Sequence, residues 1–503
     1  MYDLLIKNAT ILDGSGTDGF IGDVAINDGK IVAVGKDLSG AAEYINATGL
    51  TATPGFIDSH SHSDMSILED RDQSAALEQG ITCSITGHCG SSFAPGKRTG
   101  TYMSVSEYFQ QLAAEPIGCN HAALVGHGAI RSAVMGMVNR TPTQEELTQM
   151  EQLLAQSLED GAIGMSFGLT YVPGSYAQLP EMITLAKVVK RYEGVITAHI
   201  RNEGDTLLES VEEFIAVIKA SGCRGIISHH KAADRANWGK VKDTIAMIDK
   251  ANAEGADIYM DVYPYCASST SLLARFMPKQ FHPKGATSVL ALLDDPGICR
   301  RAKQWALDKW GDDLSWVLVY ACSQHPEYEG MNMNQVAEKM GITDRYKAVY
   351  QLIRMCKGKA QACFTMMCEE DVKRIMAHPR AMIGADSNMS HSHEKCHPRL
   401  RATFPRTLAK YVREEKVTTL PEMIRKMTSL PAQVYGLPKK GRIAEGYDAD
   451  ICIFDPDRIQ DMADYVNCHA PNKGLHYVLI GGRIVVENNS YTGIRAAQCY
   501  RKR

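Results

Sequence analysis

Eight short apolar runs punctuate the middle of the chain, and amphipathic stretches separate most of them. The runs are Gly55–His62, Ile81–Gly87, His121–Gly126, Ala162–Leu169, Val195–Ile200, Gly225–His229, Asp257–Tyr263 and Ala381–Asp386. They do not alternate polar with apolar as a strand with one wet face would, so each reads as a strand buried on both faces. The stretches between them carry helical signals. Thr143–Glu159 opens with a capping box, Thr143 with Glu146, and sets Leu147, Met150, Leu153, Leu154 and Leu158 on one face. Met182–Tyr192, Thr206–Ala220 and Lys240–Ala253 follow the same plan. Eight strand–helix units predict an α/β chain closed into a (β/α)8 TIM barrel. A doubly wound open sheet shares the periodicity, but it would need a glycine-rich phosphate loop, and no convincing one is present.

The ends of the chain resemble each other. Val24–Val34 is two apolar runs around Asp28-Gly29, and Tyr477–Val486 repeats the pattern around Gly481-Gly482. Such turn residues tolerate the positive φ of tight hairpins. Ala449–Phe454 adds another strand. Because a lone hairpin is marginal in water, both ends are expected to pair into one small β-sandwich, residues 1–54 with 432–503, flanking a barrel over 55–431. Over a hundred residues separate the seventh run from the eighth. A structureless loop of that length is improbable, so a helical subdomain is expected at about 266–350.

The overall balance excludes several classes of function. With 54 basic and 58 acidic side chains, a net charge of −4 gives no reason to invoke nucleic acid or an anionic membrane. No stretch reaches 18 uninterrupted apolar residues, so no spanning helix is expected. Met1–Leu12 alternates like a strand rather than a secretion signal. The 14 cysteines form no CxxC pair, which suits mostly reduced thiols in a cytoplasmic protein.

In a barrel, chemistry gathers where the strands end. The first run ends Asp58-Ser59-His60-Ser61-His62, and residues two apart on a strand face one way, so both imidazoles can aim at one point. The second ends at Cys89, the fifth at His199, the sixth at His229 and His230, and the eighth at Asp386. Singly, each of these has an ordinary explanation: packing for the cysteine, a satisfied core histidine, a helix N-cap for the aspartate. Five strands ending in a ligand type together point to a metal. Imidazoles with one thiolate and one carboxylate suit zinc best. The fourth run, Gly164–Leu169, holds no Lys, Asp or Glu, so Cys89 is the available anionic bridge if two ions share the mouth.

These motifs resemble the amidohydrolase superfamily and, within it, the N-acyl-D-amino-acid deacylases (D-aminoacylases). The resemblance runs essentially the full length: Thr53–His62, the Cys89-Gly90 loop with Ala94-Pro95, Gly168–Gly174, His199–Glu203, Ser228–Lys231, His397–Arg399 with Thr403–Arg406, and Gly441–Gly446 with Ala449-Asp450. The cysteine loop and Ser-His-His-Lys are its specific parts. It implies that Cys89, His199 and His229 hold one tight zinc, and that His60 and His62, with Cys89 and Asp386, line a second, weaker position. His229 aligns with the family's ligand, and on a strand His230 should point away. Asp386 would be the catalytic acid–base, and Lys231, Tyr263 and Arg399 would hold the carboxylate of a small N-acyl-D-amino acid. The products would be a carboxylate and a free D-amino acid. His88 stands where the family often has Asn, and Asp386 is flanked by Ala385 and Ser387 instead of the common Ser and Gly. Three alternatives stand beside this reading, the first a catalytically dead scaffold of the same fold, which should have lost ligands that this chain keeps. A deacylase for N-acyl-D-glutamate or D-aspartate would need a further cation, for which Arg275 and Arg201 are available. A hydantoinase-like cyclic-amide hydrolase would favour a bridging lysine on the fourth strand. The dense group His391, His393, Cys396 and His397 is expected to belong to a loop over the site with weak or no metal binding, Cys363 and Cys368 to packing, and His127 to the surroundings of the third strand's mouth.

Overall fold

A computed structural model describes residues 1–98, 101–277, 279–281, 290–388 and 395–502. All eight apolar runs form strands: Phe56–Asp58, Ile81–Thr86, Asn120–Gly126, Gly164–Gly168, Val195–His199, Arg224–Ile227, Ile258–Val262 and Ala381–Ile383. They pair parallel, each with its neighbour in sequence. Ser59 N–H donates to Ile383 O at 3.2 Å and Asp386 N–H to His60 O at 2.8 Å, which joins the last strand to the first. The result is the expected TIM barrel.

The strands are buried on both sides. Val195 and Ile226 face an inner cluster with Ile57, Ile85, Leu124 and Met382, while Ile196 and Ala198 pack outward against helical residues such as Leu185, Val189, Phe214 and Ile218. Helix Gln144–Glu159 carries the predicted capping box, and Met150, Leu154 and Leu158 from its apolar face are buried. The short helix Ser429–Tyr435 joins the inner cluster through Leu430, Val434 and Tyr435. Among the described residues, no helix is long and apolar enough to cross a membrane.

The two ends meet as one nine-stranded sheet. Its seam is Thr51–Pro54 against Ile451–Phe454, antiparallel. Both predicted hairpins form, with φ of 47° and 73° at Asp28-Gly29 and 52° and 74° at Gly481-Gly482. Ile31 N–H donates to Tyr447 O and Ala449 N–H to Gly29 O, which curls the sheet around Leu4, Ile6, Val24, Ile451 and Leu479. The last residues leave this sheet, although the sequence placed them in it: Tyr500 N–H donates to His121 O and Lys502 N–H to Gly161 O, laying the tail along the third barrel strand.

The excursion between the seventh and eighth strands differs from the helical subdomain expected over 266–350. Helices Pro296–Trp310 and Arg345–Met355 are present, but so is an antiparallel sheet of Ala267–Ser271, Gln361–Thr365 and Val317–Ala321. It therefore runs on to Thr365, around its own core of Phe276, Tyr346, Leu352 and Phe364. The first of these strands, Ala-Ser-Ser-Thr-Ser, shows no polar–apolar alternation, so nothing in its sequence marks it as a strand.

Candidate metal centre

The mouth of the barrel collects every predicted ligand. Cys89 is delivered by a sharp turn in which Gly87, Cys89 and Gly90 have φ of 77°, 54° and 73°. The turn lies against the fourth strand so closely that a Cβ on Gly168 would stand 2.0 Å from Cys89 O. This is what the ligand-free fourth strand contributes: a bare backbone that lets the cysteine loop sit at the centre. His229 and Asp386 also have positive φ, 36° and 48°. Non-glycine residues held there cost on the order of 1–3 kcal/mol each and persist only where their surroundings fix them. Here His229 N–H donates to Asp261 Oδ1 at 2.7 Å, and Asp386 N–H is tied to His60 O.

Cys89 Sγ lies 3.4 Å from His60 Nε2 and 3.4 Å from His229 Nε2. His60 and His62 present Nε2 to Asp386 Oδ1 at 3.5 and 3.3 Å. His199 stands edge-on to His229, ring centroids 4.5 Å apart. Three overlapping donor sets result: His60–Cys89–His229, His60–His62–Asp386 and His199–Glu203–His229, each within 4.8 Å. The sulfur thus stands beside both His60 and His229, each of which belongs to a second donor set. A carboxylate backs two of the rings, Asp261 at His60 Nδ1 (3.1 Å) and Glu203 at His229 Nδ1 (3.0 Å), leaving each Nε2 turned to the centre. Carboxylate–imidazole pairs of this kind fix ring orientation in metal sites. His199 Nδ1 is buried with no hydrogen-bond partner, a nitrogen that a cation would satisfy.

The electrostatics agree. Burial pushes His60 well below its ordinary value and His199 down to about 3, so these rings are neutral donors. Burial, with Asp386 nearby, drives the Cys89 thiol well up; only a bound cation would make it a thiolate at neutral pH. Burial also raises Asp58 to about 8 and Asp261 to about 7. For Asp386 burial works upward too, but the Arg399 guanidinium and the bond from His62 outweigh it and hold the carboxyl well below the usual range. The neutral rings of His60 and His199, the Cys89 sulfur and the Asp386 carboxylate make a donor set suited to a divalent cation of the zinc type.

The predicted substrate contacts border the same space, a cavity of about 990 Å³ that the other metal-ligand candidates also line, His60 excepted, which is fully buried. Lys231 Nζ stands 2.7 Å from Glu203 Oε1 and 5.4 Å above the Tyr263 ring. The Arg399 guanidinium also lies over the Tyr263 ring, 5.0 Å from its centroid, and pairs with Asp386 Oδ2 at 2.9 Å. Arg275 lines the cavity but pairs with Asp234 at 2.8 Å. Arg201 instead pairs with Glu213 and the carbonyls of Ser175 and Ala177. His230 points away, bonded to Thr244 Oγ1 at 2.8 Å, and His127 pairs with Glu181. His88 stacks on His60 with centroids 4.0 Å apart. Cys363 is buried in the excursion's sheet, and Cys368 stands at the N-cap position of helix Glu369–Ala377 without a side-chain capping bond. His391 and His393 lie outside the described residues.

Sequence reasoning missed Glu203, Asp261 and Asp58 as members of the site. Asp261 had a signal, a lone carboxylate inside the apolar strand Ile258–Val262 and two residues before Tyr263. Asp58, whose Oδ1 accepts from the N–H groups of His60 and Ala385, closes an apolar run in the same way. Glu203 sits in a loop where no periodicity marks it.

Residues 43–486 match the model of the amidohydrolase family. An N-acyl-D-glutamate deacylase of Alcaligenes xylosoxydans xylosoxydans is 36% identical over 95% of this chain and 93% of its own length. The solved N-acyl-D-glutamate deacylase of Bordetella bronchiseptica, complexed with zinc and a phosphonate mimic of the tetrahedral intermediate, superposes with a TM-score of 0.86 at 33% identity, covering 99% of each chain. A solved D-aminoacylase, described by one-metal activation and second-metal attenuation of a binuclear centre, gives a TM-score of 0.84 at 32% identity over all of both chains.

Proposed function

We propose that this chain, which belongs to the amidohydrolase family, hydrolyses the amide bond of N-acyl-D-amino acids with zinc as cofactor. The observation that carries this reading is the cysteine sulfur standing 3.4 Å from two histidines that belong to different barrel strands, each backed by a carboxylate. Cys89, His199 and His229 would hold the tighter ion, and His60 and His62, with Cys89 and Asp386, a second and weaker one.

Zinc held there supplies a Lewis acid for the acyl carbonyl and acidity to the attacking water. Asp386, kept ionised by Arg399 and His62, accepts the proton of that water at Oδ1 and passes it to the leaving amine nitrogen. The positive backbone angle at Asp386 and the bond from its N–H to His60 O fix the carboxyl over the centre in advance, so little reorientation is needed during reaction. Lys231, Tyr263 and Arg399 flank the cavity as the partners of the substrate α-carboxylate. A clamp on that carboxylate, a fixed acyl position and a side-chain pocket define three points, which is what chirality needs.

A second reading, an acidic substrate side chain, draws on Arg275 lining the same cavity. The cyclic-amide alternative gains no support from the fourth strand, which places no lysine at the centre. The test is a panel of N-acetyl-D- and L-amino acids, including D-leucine, D-methionine, D-glutamate and D-aspartate, assayed with zinc and after chelation. Turnover of D-substrates, lost on chelation and restored by zinc, is expected. Turnover confined to L-substrates, or indifferent to chelation, would refute the reading.

A further inference from the structure

The sequence cluster around residue 396 is divided by the fold. His397 turns inward: its Nε2 lies 3.0 Å from Ala267 O, and its ring packs on Tyr265 and Tyr465. Cys396 goes the other way, toward the segment that follows the seam strand Ile451–Phe454. There Asp464 Oδ1 accepts the N–H groups of Val466 and Asn467 at 2.7 and 2.6 Å, folding a turn that presents Cys468 and His469.

One donor atom from each of Cys396, Cys468 and His469 lies within 4.8 Å of the other two. Ligand atoms around a tetrahedral zinc, with bonds of about 2.0–2.3 Å, stand about 3.5–3.8 Å apart. The trio is therefore within about an ångström of the ligand spacing of a three-residue zinc site, with the fourth position left to water. Neither cysteine is in a disulfide. Cys468 Sγ already accepts a hydrogen bond from Cys396 N–H at 3.3 Å, an arrangement that favours a thiolate acceptor. The thiol–thiol hydrogen bond from Cys396, then that backbone donor and the nearby His469, pull Cys468 down against its burial, while Cys396 is pushed up. Cys468 is 2% exposed, whereas Cys396 and His469 are partly exposed and leave an entry path.

We propose that Cys396, Cys468 and His469 form a second metal site, separate from the barrel centre, for a thiophilic divalent cation such as zinc. Two sulfurs and an imidazole select such an ion over magnesium or calcium. Binding forms two metal–sulfur bonds and one metal–nitrogen bond and releases the two thiol protons to solvent. It ties the segment after the eighth strand to residues 464–469. Arg399, three residues beyond Cys396, pairs with Asp386, so the ion would fix the chain that carries this guanidinium. The site does not depend on the deacylase reading.

The test uses the full chain, kept reduced and stripped of metal. In a Cys89→Ser background, which removes the barrel sulfur, added cobalt(II) should still give a thiolate-to-metal charge-transfer band. Adding Cys468→Ser should abolish it, and His469→Gln should weaken binding at least tenfold. In the unmutated chain, zinc should slow alkylation of Cys396 and Cys468 at least tenfold, read by peptide mass spectrometry. A band that survives Cys468→Ser, or alkylation of both cysteines at the same rate with and without zinc, would overturn the site; the second reading holds even where a variant fails to fold.

Discussion

Gly168→Ala is the sharpest probe of the claim that a bare fourth strand seats the cysteine loop. The added Cβ would fall 2.0 Å from Cys89 O and 2.6 Å from Cys89 C, where real Cβ atoms essentially never come closer than 3.0 Å. The loop must therefore withdraw by at least 1.0 Å, and because the atoms met, Cys89 O and C and Gly90 N, are all backbone, no flexible side chain can absorb the shift. Overpacking of this kind costs about 1–3 kcal/mol of stability, which a chain of this size can survive folded. The cost to chemistry is larger, because a displacement of about 1 Å in a catalytic group removes on the order of 10²-fold in rate. The variant should keep its circular-dichroism spectrum, lose about two orders of magnitude in kcat/KM, and hold zinc more weakly in a competition with a chromogenic chelator. Gly35→Ala is the control, since its nearest foreign atom would be Leu38 Cδ2 at 4.0 Å, and it should match the parent. A Gly168→Ala protein within threefold of parental activity and zinc affinity would refute the seating argument.

Two further perturbations test the electrostatics. Arg399→Met removes the strongest influence holding Asp386 down and leaves burial to raise it, so the carboxylate forms only at higher pH. The acid limb of kcat/KM should move up by at least about one pH unit, while loss of the contact to the substrate carboxylate separately lowers kcat/KM about tenfold at neutral pH; an unmoved limb would contradict the role given to Asp386. Lys426 tests stability away from the site: it is fully buried, donates to Met376 O at 2.7 Å, and burial lowers it to about 8. Between that value and the unfolded one, near 10.4, the folded chain binds fewer protons than the unfolded chain, so parental stability should rise with pH across this window by about 2–3 kcal/mol relative to Lys426→Met. Urea midpoints of both proteins at pH 7.5 and 10 read this directly, and parallel behaviour would refute it.

The barrel was legible because its strands are buried on both faces, which writes them as compact apolar runs. Val195–His199 and Ile258–Val262 need no partner in view to be recognised. Ligand types were legible for the same reason: a histidine or cysteine closing such a run breaks its character. What escaped depends on partners distant in sequence. Ala267–Ser271 becomes a strand only because Gln361–Thr365 lies beside it, and Glu203 becomes part of the centre only because Lys231 and His229 come to it from the next strand. Cys468 and His469 showed no sign of their relation to Cys396, 72 residues away, until the fold had brought them together.

The seam that pairs Thr51–Pro54 with Ile451–Phe454 has a consequence during synthesis. The partner strand leaves the ribosome about 400 residues after the first, a delay of about 20–80 s at 5–20 residues per second. Through that interval a strand edge meant for the interior stays open to chance encounters. Production should accordingly be sensitive to growth temperature and to holding chaperones, more than the stability of the finished protein would suggest.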